Sequence, residues 1–384
     1  MNQIYLDHNS TTPVDPRVTE AMTRCFESRL ANPASQHQPG RRARKLMEEA
    51  RDFIASVLSA RVYDTDADRL IFTSGGTESN NLALIGLLAG KSPGNVVVSR
   101  IEHPSVVGAA EHLQRQSFEL RRARVTAHGV LDLEHFSRLV DTETRVASIM
   151  LGNNETGVLQ PVAEAARICA VLGVPLHTDA VQVAGKLAID FQSLGVAALS
   201  IAAHKFHGPV GIGALLVRSN VELQPMFYGG FQQMGLRPGT ESVCLALGMQ
   251  KALELWVDEG DTRSIRMEQL RNQLEQFVTG GCPGAVIVGV KSARLPHTTN
   301  IAFPGLDRQA ILMALDMAGV ACSTGSACAS GSSEPSPVLL AMGCPQAVVE
   351  GSIRISLGAL TTPSEIEEAG RRIVKTINEL RSIN

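Results

Sequence analysis

The chain reads as an α/β protein built on a mainly parallel central sheet. Three observations point there: short apolar runs alternate with helix-period stretches through the first two thirds, most of those runs stop where polar residues begin, and hydrophobic residues reach 44% against 19% charged. Such a composition can fill a large core and lacks the polarity of a disordered chain. At 384 residues two domains are expected, with their interface a natural place for a ligand. The expected division is a larger α/β domain over 14–256 and a smaller α+β domain formed by 1–13 with 257–384.

Each element has its own signal. Between 41 and 60, Leu46, Met47, Ala50, Ile54, Val57 and Leu58 share one helical stripe while Arg44, Glu48 and Arg51 lie elsewhere, so this helix is scaffold. Buried strands are expected at 69–73, 95–99, 146–151, 174–178, 197–201 and 213–217. In open α/β sheets ligands bind beyond the carboxyl ends of the strands, which directs attention to the polar residues that follow each run. A helical stretch over about 245–277 leads out of the larger domain. The last helix starts at Thr362, Pro363, Ser364 and Glu365, a cap, a first-turn proline and a capping-box acid. Its stripe is Ile366, Ala369, Ile373, Ile377 and Leu380.

Charge and cysteine usage narrow the classes of function. With 35 basic and 38 acidic residues, a net charge of −3 gives no overall field favouring nucleic acid or an anionic membrane. The first residues lack the basic start and apolar run of a secretory signal, and no apolar run is long enough to span a membrane, so a cytoplasmic protein is expected. Seven scattered cysteines, an odd number, make structural disulfides unexpected. No CxxC pair or histidine knuckle suggests zinc, and no metal is expected.

The candidate chemistry sits after the strands. In Arg69–Asn81 a strand meets Gly75 and Gly76 and then a helix start, where amide groups, the Thr77 hydroxyl and the helix N-terminus suit a phosphate; a plain glycine turn reads the same way. Asp179 and Lys205 each follow an apolar strand. A lysine amine can form a Schiff base with an aldehyde cofactor and a carboxylate can keep a pyridinium nitrogen protonated, although either residue alone also suits a solvated charge or a helix cap. His103 follows another strand and could stack on such a ring and exchange protons, or be a loop histidine.

The segments FTSGGTESNN, EHPSV, GNNETG, HTDAVQ, AHKFHGP and RPGTES resemble, in order, the motifs of the class V pyridoxal-phosphate enzymes of the NifS/IscS cysteine desulfurase group. The likeness runs from YLDHNSTTP through ANPASQHQPGRRA to IRISLGALTT, almost the whole chain. It implies the fold type I architecture and pyridoxal 5'-phosphate as cofactor. By the same resemblance Lys205 is the Schiff-base lysine, Asp179 the partner of the ring nitrogen, His103 the stacked acid/base and Gln182 the donor to the ring oxygen. Gly76, Thr77 and His204 would take the phosphate, joined by Thr240 of the partner subunit in a two-fold homodimer. Asn154 and Arg354 would hold the substrate carboxylate. Four positions depart from the family pattern: Ala202 where a phosphate-binding serine is usual, Ala359 where a second arginine is usual, and His207 and Val210 in place of tyrosine and lysine.

Residues 321–335 are rich in Gly, Ser and Ala, with almost no bulky side chain to anchor them, so an exposed loop at about 322–334 is expected. An accessible thiolate there is reactive, which favours a chemical role for Cys328. The segment STGSACASGSSEPS also resembles the family loop whose cysteine takes up sulfur; Cys322 matches no family nucleophile and is read as structural. The implied activity takes sulfur from L-cysteine, leaves alanine and a Cys328 persulfide, and passes sulfur to an acceptor protein such as an iron–sulfur scaffold. Selenocysteine cleavage or another β-elimination, and an inactive sulfur-relay scaffold, are the alternatives.

Overall fold

The computed structural model describes residues 3–63, 66–88, 90–325 and 334–383. In chain order the strands are β1 (Ile4–Tyr5), β2 (Arg69–Thr73), β3 (Asn95–Ser99), β4 (Glu119–Ala123), β5 (Thr144–Ser148), β6 (Leu176–Asp179), β7 (Ala198–Ala202), β8 (Gly213–Val217), β9 (Val286–Val288), β10 (Thr298–Ala302), β11 (Val320–Ala321) and β12 (Ser352–Ser356). The helices are α1 (Pro16–Glu27), α2 (Gln38–Val57), α3 (Gly76–Gly86), α4 (Pro104–Arg115), α5 (Leu133–Leu139), α6 (Val162–Val171), α7 (Phe191–Leu194), α8 (Val243–Gly281), α9 (Arg308–Met317), α10 (Pro337–Ala341), α11 (Gln346–Glu350) and α12 (Pro363–Ile383).

Runs rich in Val, Ile, Leu and Ala form a seven-stranded sheet in the order β2-β8-β7-β6-β5-β3-β4. Pairing is parallel from β7 to β4, and β8 runs against both β2 and β7. Successive residues face opposite sides: Leu70 and Phe72 pack with α2, α6 and α8, while Ile71 packs with α3 and α4. Both faces are covered, so the strands can be apolar throughout. The expected strands at 69–73, 95–99 and 213–217 form with those bounds. The run expected at 146–151 forms β5 earlier, yet Ile149 and Leu151 still donate to the carbonyls of His177 and Asp179 and carry the chain onward beside β6.

A second layer holds the antiparallel sheet β12-β10-β9 and the parallel pair β1-β11. The far end of α8 with α9 and α12 covers it, and Ile4 and Leu6 from the chain start join the same core as Ile373 and Ile377. A smaller apolar cluster, with Ile101 and Met150 meeting Val288, Ala302 and Leu339, joins the two layers. The capping box of α12 forms as the sequence indicates: Glu365 N–H donates to Thr362 Oγ1 at 3.2 Å and Thr362 N–H to Glu365 Oε2 at 2.7 Å. No helix among the described residues is long and apolar enough to cross a membrane.

One expectation fails here. Cys25 of α1 and Cys244 at the start of α8 form a disulfide across 219 residues, with their Cα atoms 5.5 Å apart. Packing of α1 alongside α8 brings them together, and sequence spacing carries no trace of that proximity.

Candidate active site

The carboxyl ends of β2, β3, β5, β6 and β7 lie along one edge of the large sheet, and the residues that leave them enclose a cavity of about 220 Å³. Eight of the expected residues line it: Gly76, Thr77, His103, Asn154, Asp179, Gln182, His204 and Lys205. They come from segments spread over more than a hundred residues, and the sheet brings them together.

At its floor β2 turns through Ser74 and Gly75 into α3. A Cβ at Gly76 would lie 2.8 Å from Val181 Cγ2, so any larger residue there would have to displace the Val181 side chain. The turn is braced by Glu78, which accepts from Ser74 N–H at 2.7 Å and pairs with Arg237 at 2.8 Å. Gly76 and Thr77, at the N-terminus of α3, thus line the cavity, a setting that suits an anion. Ala202, at the buried end of β7, lines the same region and offers no donor.

Asp179 ends β6 almost fully buried. Its Oδ1 accepts from Val181 N–H at 2.9 Å and its Oδ2 from Asn80 Nδ2 at 2.7 Å. Asn80 also donates to Ser105 Oγ at 2.8 Å, and Ser105 Oγ lies 2.7 Å from His103 Nδ1, which accepts as well from Ser105 N–H as the cap of α4. With Ser105 N–H donating to Nδ1, the Ser105 Oγ proton can point to the same nitrogen, which leaves Nε2 as the ring nitrogen outside this chain of bonds. Asp179, Asn80, Ser105 and His103 are one hydrogen-bonded chain. The asparagine and serine have no signal of their own in the sequence; both lie inside the quoted motifs, which was the only hint available.

Lys205 sits in a short turn after β7, its Nζ donating to the carbonyls of Asn9 at 2.5 Å and Ser10 at 2.7 Å. Gln182 donates from Nε2 to Asn9 O at 3.1 Å. The N-terminal segment therefore holds the site from above, a role sequence reasoning did not assign to it. Around Lys205 burial dominates: the His204 imidazole is pushed down to about 4 by burial and then by Lys205, and the Lys186 amine down to about 7 by the same two causes. Glu102, beside His103, is raised to about 8 by burial, against bonds from Ser99 Oγ and Met150 N–H.

Arg354 lies on β12, just outside the cavity. Its Nη2 bonds Asp7 at 2.7 Å and Ser10 Oγ at 2.8 Å, and its Nη1 bonds the carbonyls of Asn154 at 3.1 Å and Gly325 at 3.3 Å. Thr240 lies elsewhere, in a separate hollow with Arg237 and Gly211. Cys328 lies outside the described residues. The Cys322 thiol is pushed up to about 12, by burial first and Asp7 second, which keeps it protonated and unreactive.

The cavity suits an anionic, aldehyde-bearing aromatic cofactor. Buried Gln182 Oε1 and Asn80 Oδ1 have no protein partner, a state that buried polar atoms adopt where a ligand completes them. An amine, a buried carboxylate, an imidazole and a helix N-terminus are complementary groups for such a molecule.

Comparison with known proteins agrees with this geometry. The aminotransferase class-V family model matches residues 4–368. A cysteine desulfurase IscS of Dictyoglomus turgidum is 38% identical over all of this chain and 96% of its own length, and the cysteine desulfurase NifS of Azotobacter vinelandii 36% identical over all of this chain and 95% of its own. Among solved structures, a NifS-like protein from Rickettsia africae superposes with a TM-score of 0.88 at 34% identity, covering 99% of this chain and 100% of that one. With the family model matching residues 4–368 and relatives matched along the full chain, the chain belongs to the aminotransferase class-V family.

Proposed function

We propose that this chain is a pyridoxal-phosphate-dependent cysteine desulfurase that moves sulfur from free L-cysteine onto Cys328. The observation that carries the reading is the meeting of Lys205, Asp179 and His103 around one cavity, with full-length likeness to proteins named cysteine desulfurase beside it.

The α3 N-terminus with Gly76, Thr77 and His204 would hold the cofactor phosphate, Asp179 its ring nitrogen, Gln182 its ring oxygen and Lys205 its aldehyde carbon, with His103 against the ring. When bound, the cofactor supplies an electron sink that weakens the bonds at the substrate's α-carbon. The protein does the rest. Arg354 and Asn154 orient the substrate carboxylate, a role for which the guanidinium is already held rigid by Asp7 and Ser10. His103, with Nδ1 committed to Ser105, exchanges protons through Nε2. The Cys328 thiolate attacks the substrate sulfur: an S–S bond forms, the C–S bond breaks with its electron pair left on the β-carbon, and that carbon takes a proton and departs as alanine. Covalent connectivity supports the reach. Cys328 is three residues beyond Gly325 in sequence, and the Gly325 carbonyl is bonded to Arg354.

The working form is proposed to be a two-fold homodimer in which Thr240 of the partner subunit reaches the phosphate. Support comes from the segment before Thr240, which exposes Phe227, Tyr228, Phe231 and Met234 together. The acceptor of the sulfur is proposed to be a protein such as an iron–sulfur scaffold, in the cytoplasm. The test is incubation of the purified protein with cysteine and intact-mass and peptide-mass measurement. One added sulfur on the Cys328 peptide, absent in Cys328→Ser, is expected; sulfur release undiminished in that variant overturns the assignment.

A further inference from the structure

We infer that Gln233 is a positioning residue for the cofactor phosphate, its side-chain amide clipping the segment that carries Thr240 onto the outer edge of β2. This rests on the homodimer proposed above, in which the Thr240 of each chain serves the phosphate site of the other.

Strand β2 ends the large sheet on the side opposite β4, so one line of its backbone groups has no neighbouring strand to pair with. Two side chains fill that line. Gln233 meets Phe72 twice: its Oε1 accepts from Phe72 N–H at 2.6 Å and its Nε2 donates to Phe72 O at 2.8 Å, the pair of bonds that an adjoining antiparallel strand would make. Arg51, from α2, donates to Leu70 O, the outward carbonyl two residues earlier, and its Cζ lies 4.9 Å from the centre of the Phe72 ring. The same guanidinium reaches Gln233 Oε1 at 3.2 Å and Glu241 Oε1 at 3.1 Å. Thr240 lies between those two residues in sequence and is itself exposed, so a segment held at both ends by one arginine presents it outward.

The backbone here is bent against its preference. Gln233 and Met234 are both left-handed, at φ 48° and 60°, and two such residues in a row hold their shape only where the surroundings fix them. The bonds of the Gln233 amide do so. The turn buries Gln233 and leaves Phe231 and Met234 exposed, an arrangement that keeps the polar anchor inward and offers apolar side chains to a second copy of the chain. Between the two ends, Arg237 pairs with Glu78 at 2.8 Å, and Glu78 accepts from Ser74 N–H at 2.7 Å in the turn just before Gly76 and Thr77. The segment is thus tied to the same β2–α3 unit that lines the chain's own cavity. In a two-fold assembly, the unit that receives one phosphate would also fix the threonine lent to the other.

The test is equilibrium dialysis of the full-length protein against pyridoxal 5'-phosphate and, in parallel, against pyridoxal, which lacks only the phosphate. Gln233→Ala should weaken binding of pyridoxal 5'-phosphate by about tenfold, the worth of one hydrogen bond to a charged group, and leave pyridoxal binding within about twofold. Thr240→Ala should do the same, and the double variant should bind no more weakly than either single one, because both lose one contact. A parental affinity for pyridoxal 5'-phosphate in Gln233→Ala, or a loss that is equal for the two ligands, overturns the proposal. If Gln233→Ala does not fold, Glu241→Ala, which gives up only one of the ties to Arg51, takes its place. A loss of about threefold for the phosphate-bearing ligand alone is then expected, and an equal loss or none overturns the proposal. Parental affinity in Thr240→Ala would strike the reading of Thr240 and the proposal with it, whereas a phosphate-specific loss in Thr240→Ala with none in Gln233→Ala would strike only the role of Gln233.

Discussion

The Asp179 carboxylate is almost fully buried, and the structure supplies it with two donors, Val181 N–H and Asn80 Nδ2. A hydrogen bond to a buried charge contributes about 1.5–3 kcal/mol, so Asn80→Ala should weaken cofactor binding by about tenfold or more. Because Asn80 also donates to Ser105 Oγ, the same variant removes one of the bonds that orient Ser105 beside His103 Nδ1. Equilibrium dialysis of the cofactor checks the weaker binding; binding equal to the parent's would refute it. Ala202 invites the opposite change. It is fully buried and lines the cavity beside Gly76 and Thr77 without a donor, so if the cofactor phosphate binds there as proposed, Ala202→Ser should tighten cofactor binding. Without cofactor the new hydroxyl is buried and unpaired, at about 1–3 kcal/mol, so the cofactor-free variant should melt below the parent and the loaded one above it. Melting curves of both forms decide; a variant lower in both states would show that the hydroxyl has no anion to meet.

At the scale of elements, the sheet was legible where burial on both faces demanded continuous apolar runs. Strand β8 could be read residue by residue for that reason. Strand β4 could not, because it closes the sheet at its edge and its sequence, Glu119-Leu-Arg-Arg-Ala123, is mostly polar and partly exposed. The small sheets escaped too: β1 pairs with β11 across more than three hundred residues, and two-residue strands leave no period to detect. The same limit explains the site. Lys205, Asp179 and His103 announce themselves by following strands, while Arg354 reaches the site through a pairing of β12 with β10 that no local pattern encodes. The Cys25–Cys244 bridge is the clearest case, an accident of α1 lying along α8. It closes a loop of 219 residues, and a native bridge typically contributes about 2–4 kcal/mol. Reductant should therefore lower the melting temperature of the parent and leave that of Cys25→Ala unmoved. Two fewer titratable thiols in the unreduced parent than in the reduced one would accompany this; equal thiol counts would dispose of the bridge.

For the molecule as a whole, the buried histidines set an acid limit. His177 lies inside the large sheet between Ser148 Oγ at 2.8 Å and Ser200 Oγ at 2.9 Å, and burial holds it near 3. His8 is held near 3 and His207 near 4, again by burial first, and His297 lies well below 6.5 for the same reason. All four are neutral when folded and take up protons near 6.5 when unfolded, so the unfolded state binds more protons between about 4 and 6.5 and stability falls as pH falls through that window. Glu102 works the other way: raised from 4.5 to about 8, it binds its proton in the folded state first, and its contribution is lost as pH rises through 8. His204, held near 4, adds to these four, and the raised Glu155 carboxyl adds to Glu102; the histidines still outnumber the carboxyls below pH 6.5 and prevail. Unfolding at about pH 5.5 should take up protons, and the melting temperature should drop steeply from pH 7 toward 5. His177→Gln, if it folds, should make that drop shallower by removing one of the four. A melting temperature that holds or rises on acidification would mean that these rings reach solvent before the fold opens, and the account of a dry, histidine-filled interior behind the site would have to be abandoned.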